Sequence, residues 1–136
     1  MIKPIMRDMM FLSQPSMPAD RADAPVVTDL LDTLNAHLDG CVGMAANMIG
    51  VRKRIIVVRM GMMSIPMVNP QIVSKSGEYE AEEGCLSLNG TRKCRRWQNI
   101  EVSYMDAAFL PRRQKYTGWI AQIIQHEIDH CNGVVI

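Results

Sequence analysis

A chain of 136 residues that is 48% hydrophobic and 21% charged carries enough apolar side chains for one compact core, and a second domain is not expected. Fifteen basic residues against fourteen acidic ones give a formal net charge of +1, so no overall field selects nucleic acid or an anionic membrane as a partner. No apolar run is long enough to cross a bilayer, and the opening segment, with Lys3, Arg7 and Asp8 around Pro4, lacks the apolar stretch of a secretory signal. A cytosolic protein is expected, in which the four cysteines (Cys41, Cys85, Cys94 and Cys131) form no structural disulfides; one or more could bind a metal.

Taken in chain order, residues 13–25 are punctuated by Pro15, Pro18 and Pro25 and read as an extended lead-in. Pro25 is well placed to begin a helix, along which Val26, Val27, Leu30, Leu31, Leu34 and Leu38 recur at helical spacing until Asp39-Gly40 stops them. The segment Gly43 to Gly50 brackets small residues with glycines, which suits either a packed loop or close approach of the backbone to a ligand. Arg54 to Met60 reads as a buried strand, and Met67 to Val73 and Ile100 to Met105 as further strands. Arg92, Lys93, Arg95 and Arg96 form one basic cluster, read as a solvated strand end. From Gly118 to His130 the apolar residues Trp119, Ile120, Ile123, Ile124 and Ile128 fall largely three and four apart, predicting a helix buried on one side, capped by Thr117 and ended by Asn132-Gly133. Helix, several strands, helix predicts an α+β fold over a single domain, residues 1–136, with antiparallel or mixed sheets packed around the C-terminal helix.

The chemistry is concentrated in that last helix. His126-Glu127-Ile128-Asp129-His130 places two imidazoles four residues apart, on one helical face, with a carboxylate beside the first. Such a pair reaches a single metal ion, and a catalytic site of this kind takes a third protein ligand and leaves a position for water. Within Glu83-Gly84-Cys85-Leu86-Ser87, Cys85 follows a flexible glycine and is the candidate third ligand, although taken alone it reads, like most free cysteines, as a small buried hydrophobe.

Three segments together resemble the peptide deformylase family, whose motifs run GxGxAAxQ, EGCLS and QHExDH: here Cys41 to Met48, Glu83 to Ser87, and Gln125 to His130. The second and third are intact, and the resemblance spans roughly residues 26–135, the first 25 matching only loosely. It implies a metal-dependent hydrolase that removes the N-formyl group from formylmethionyl peptides on nascent chains. Cys85, His126 and His130 would hold a divalent ion, Fe2+ in the family, with Zn2+, Ni2+ or Co2+ able to replace it. Glu127 would serve as general base toward water and then as acid toward the departing amine. The Leu86 backbone N–H would meet the developing oxyanion, and Val42 with Gly43 would pair with the substrate backbone. Gln125 and Asp129 would orient ligands.

The first motif departs from the family. Its glutamine, which helps to bind the oxyanion, falls on Met48, and its first glycine falls on Cys41. A thioether donates no hydrogen bond, so weakened oxyanion stabilisation is implied, the alternative being an impaired deformylase-fold protein that binds metal and peptide N-termini. Asn47, next door, carries an amide but points a different way in any regular segment. A zinc peptidase of the HExxH type would share the helix motif and leave Glu83 to Ser87 unexplained. Leu88-Asn89-Gly90 stands where many family members have a proline, and with the chain stopping at Ile136 no C-terminal ribosome-docking helix is expected.

Overall fold

Ile55, Ile56, Val57 and Val58 are all fully buried, and they divide by the alternation of a strand: Ile56 and Val58 enter one apolar cluster, Ile55 and Val57 another. A strand covered on both faces reads as a continuous apolar run, which is why this segment was legible. The computed structural model describes residues 1–84 and 90–134.

The elements are α1 (Met9–Leu12), α2 (Ala24–Asn35), β1 (Gly43–Ala45), β2 (Ile55–Met60), β3 (Met63–Gly84), β4 (Thr91–Met105), β5 (Pro111–Thr117) and α3 (Gly118–Cys131), with short 3-10 turns at Arg21–Asp23 and Ala46–Ile49. The strands form one five-stranded sheet in the order β1-β2-β3-β4-β5, every neighbouring pair antiparallel. Helices α2 and α3 use the two faces of the sheet. Ile123, Ile124 and Ile128 of α3 pack with Ile56, Val58, Met67, Ile100 and Val102, whereas Val27, Leu30 and Leu34 of α2 pack with Ile55, Val57, Met44 and Val68. Only the Met17 to Lys53 bridge is parallel among the described residues, so the α+β expectation holds with an antiparallel sheet.

Several boundaries differ from those read from sequence. Helix α2 ends at Asn35, so Leu38 lies beyond it and is 37% exposed instead of extending the core stripe. β3 and β4 run far past the apolar segments because their distal halves form a solvated two-stranded arm, where Glu78 pairs with Arg95 and Glu80 with Lys93. Thr117 precedes α3 without any side-chain capping bond, since its extended backbone is the last residue of β5, paired with Asn99. The abrupt strand-to-helix corner falls instead on Gly118, whose φ of 60° lies in the left-handed region open to glycine. The helix ends at Asn132 and Gly133 as expected; at φ 77°, Gly133 lies so close to the lead-in that an added Cβ would sit 2.5 Å from the Ser13 carbonyl oxygen.

Candidate metal centre

Helix α3 presents His126 and His130 one turn apart with their Nε2 atoms 3.2 Å from each other and both rings buried. Two nitrogens bound to one tetrahedral ion at about 2.0–2.1 Å lie roughly 3.3 Å apart, so the pair is spaced for a shared metal. His126, Glu127 and His130 bring their donor atoms within 4.8 Å of one another. The chemistry of this donor set therefore fits a divalent ion.

His126 is oriented by its other nitrogen. Nδ1 lies 2.7 Å from Glu83 Oε1, so a neutral ring donates there and turns its Nε2 lone pair toward His130. Glu83 is held in turn by Arg96, whose Nε and Nη2 donate to its two oxygens at 2.9 and 2.6 Å. The third corner of the guanidinium reaches Asp129 Oδ2 at 2.7 Å, one turn of helix from Gln125 and next to His130. Burial alone would raise the Glu83 carboxyl, but the bonds from His126 and Arg96 outweigh it and hold the group down at about 2. Arg96 is 4% exposed, which corrects the expectation of a solvated basic cluster: strand alternation points Arg95 outward and Arg96 into the protein.

Gln125 and Asp129 act on the scaffold and not on the rings directly. The Gln125 side chain accepts from Trp97 N at 2.8 Å and donates to Trp97 O at 2.8 Å and Ala121 O at 2.9 Å, clamping α3 to β4. Asp129 reaches the site through Arg96 and Glu83.

Glu127 is buried, and its Oε1 has no hydrogen-bond partner among the described residues. Loss of hydration pushes this carboxyl up to about 7, Glu83 and Asp129 adding to the rise against His126 and Arg96. A carboxyl poised there takes and returns protons near neutrality. The close approach of β1 to α3 depends on Gly43: an added Cβ would lie 2.7 Å from Ile123 Cγ2 and 3.0 Å from Glu127 Oε2.

Of this centre, Glu83, His126 and Glu127 line a cleft of about 690 Å³, together with Arg7, Cys41, Val42, Met48 and Trp119. Val42 O already accepts from Arg59 N at 2.8 Å, so by antiparallel alternation it is the Gly43 backbone that faces the open edge of the sheet. Met48 is buried, and its sulfur accepts from Ala45 N at 3.5 Å, so it meets the cleft as an acceptor and a hydrophobe. Asn47 does not replace the missing amide, because its Nδ2 donates to His130 O at 2.9 Å. Cys85 and Leu86, the expected third ligand and oxyanion donor, lie outside the described residues. Sequence reasoning gave Glu83 no role and misread Arg96; the intact second motif was a signal for the former, and nothing local distinguished the latter from its basic neighbours.

A histidine pair oriented by a buried carboxylate, with a second carboxylate beside it at an open cleft, has the donor pattern of a metallohydrolase centre. The polypeptide deformylase family model matches residues 3–136. The chain is 53% identical over 136 residues to a peptide deformylase of Clostridium beijerinckii, covering 100% of both chains. It is similar to the crystal structure of a peptide deformylase from Legionella pneumophila, with a TM-score of 0.87, 34% identity and coverage of 98% of this chain and 82% of that one. A Met-Ala-Ser-bound class I type b peptide deformylase from Acinetobacter baumannii gives a TM-score of 0.89 at 25% identity, covering 99% and 97%. The chain belongs to the polypeptide deformylase family, a family of metal-dependent hydrolases. The match begins at residue 3, so the lead-in, loosely similar by motif, is part of the family domain. It sets aside the zinc peptidase alternative, and full-length identity to a deformylase does not favour the impaired one.

Proposed function

We propose that this chain hydrolyses the formamide of N-formylmethionyl peptides at the α3 centre, acting on nascent chains in the cytoplasm. The observation that carries this reading is the convergence of donor atoms of His126, Glu127 and His130 within 4.8 Å, at a cleft that His126 and Glu127 line. His126 and His130, with Cys85 as third ligand, would hold the divalent ion, Fe2+ by family expectation and Zn2+, Ni2+ or Co2+ as substitutes. When bound, the ion supplies Lewis acidity, polarising a carbonyl and acidifying water.

The chain's own residues do the rest. Glu127, buried beside the histidine pair, removes a proton from the attacking water and delivers it to the amine nitrogen as the C–N bond breaks, giving formate and a free amino terminus. Glu83 keeps His126 in the tautomer and orientation that ligation needs. The open edge of β1 at Gly43, with Val42 beside it, receives the peptide backbone as an added strand, and the Leu86 N–H donates to the oxyanion. Met48 supplies no donor, so the oxyanion would depend more heavily on Leu86 and the ion. No helix of the described residues is long and apolar enough to cross a membrane.

The test is hydrolysis of formyl-Met-Ala by anaerobically purified, Fe(II)-loaded protein beside Glu127→Ala carrying the same metal content. Formate release by wild type that disappears in the variant is expected. Equal inactivity with metal fully bound would sink the catalytic reading.

A further inference from the structure

The cleft wall contributed by α3 is apolar at Trp119 and Ile123 but polar at Gln122, one helical turn before His126 on the same face. Gln122 is not adrift in solvent. Its Oε1 accepts a 3.0 Å hydrogen bond from the Tyr79 hydroxyl of β3, which fixes the carbonyl end of the amide. The Nε2 end has no hydrogen-bond partner among the described residues, and it is a donor with two N–H groups. A donor held in this way between the apolar side chains of Trp119 and Ile123 is a recognition element for an acceptor brought by the ligand.

We infer that Gln122, positioned by Tyr79, is a specificity-determining residue that donates a hydrogen bond to the first side chain of the substrate, favouring side chains with an acceptor at the thioether position. The inference rests on the deformylase reading of the α3 centre. With the formyl carbon beside His126 and Glu127, the first side chain leaves the backbone just beyond the scissile C–N bond. An extended side chain of methionine length reaches roughly 5 Å, close to the rise of about 6 Å back along α3 from His126 to Gln122. Sulfur is a weak acceptor, the isosteric methylene of norleucine is none, and the oxygen of methionine sulfoxide is a strong one. A purely apolar wall would rank methionine and norleucine together and penalise the sulfoxide; a wall with a pinned amide separates the first two and accepts the third.

The experiment compares kcat/KM for formyl-Met-Ala, formyl-norleucyl-Ala and formyl-methionine-sulfoxide-Ala in metal-loaded wild type, Gln122→Leu and Tyr79→Phe. In wild type the methionine and sulfoxide peptides should exceed norleucine by about fivefold, the discrimination of one neutral hydrogen bond. In Gln122→Leu, similar in size and suited to a helix, the methionine preference should collapse to within about twofold of unity and the sulfoxide should fall below norleucine. Tyr79→Phe, which frees the amide to rotate, should lower both ratios part of the way. Ratios unchanged by Gln122→Leu overturn the assignment while leaving the deformylase reading intact. Failure of that reading looks different: no formate from any of the three peptides by wild type with metal bound.

Discussion

Glu83 accepts a 2.7 Å hydrogen bond from Nδ1 of His126, a residue 43 positions further along the chain, and so joins the end of β3 to the helix that carries the candidate metal centre. The carboxylate is acceptor for an imidazole and a guanidinium at once, which makes it the hinge of the buried network.

Glu83→Gln keeps the shape but weakens the acceptor facing His126 Nδ1. Metal affinity should fall by about 10- to 100-fold. Competition with a calibrated chelator reads this directly, and an unchanged dissociation constant would show that His126 needs no such partner.

The same carboxyl makes the fold acid-sensitive. Its folded value of about 2 lies below the ordinary 4.5, so its stabilisation is fully present above pH 4.5 and is lost as pH falls toward 2. The contribution is on the order of 3 kcal/mol. Urea midpoints of wild type should drop across that window, while those of Glu83→Gln should be flatter; parallel curves would assign the acid limb to other groups.

Arg96→Lys retains the charge and loses the fork. One ammonium cannot serve both Glu83 oxygens and Asp129 Oδ2, so a buried carboxylate oxygen is stranded. We expect a loss of about 2–4 kcal/mol in urea unfolding. Asp129→Asn should cost less, about 1 kcal/mol, because that partner remains partly exposed.

Gly43→Ala forces a methyl group against Ile123 and Glu127. Displacing the base by a fraction of an ångström should lower kcat on the order of 100-fold while the histidine pair keeps its metal. Metal content and turnover, measured on the same sample, separate this from general unfolding; a variant with normal kcat would mean that α3 yields freely at this point.

Local signals carried much of this architecture. Helices α2 and α3 and strand β2 announced themselves through periodicity and an apolar run, and the histidine pair through its i, i+4 spacing. The distal halves of β3 and β4 did not, because residues such as Glu78, Glu80, Lys93 and Arg95 are solvated on both strands and become a ladder only when paired with each other. Strand β1 is three residues long and owes its conformation to β2. The Arg96 bridge joins Glu83 and Asp129, partners 13 and 33 positions away, which no window along the chain could associate.

The lead-in shows how a segment that carries no motif of its own keeps its place. Met6 N donates to Met48 O, Ser16 N to Cys131 O, and Met17 bonds through both its main-chain groups to Arg52 and Arg54. Each of these links uses the peptide unit, which every residue other than proline supplies in full. Exposed side chains such as Met9, Met10 and Met17 are thereby free to change, whereas Leu12 and Ser16 stay buried, while the segment goes on bracing the floor of the cleft and the far end of the histidine helix. A cut or insertion in this stretch would be felt at His130, although no motif of the centre lies within it.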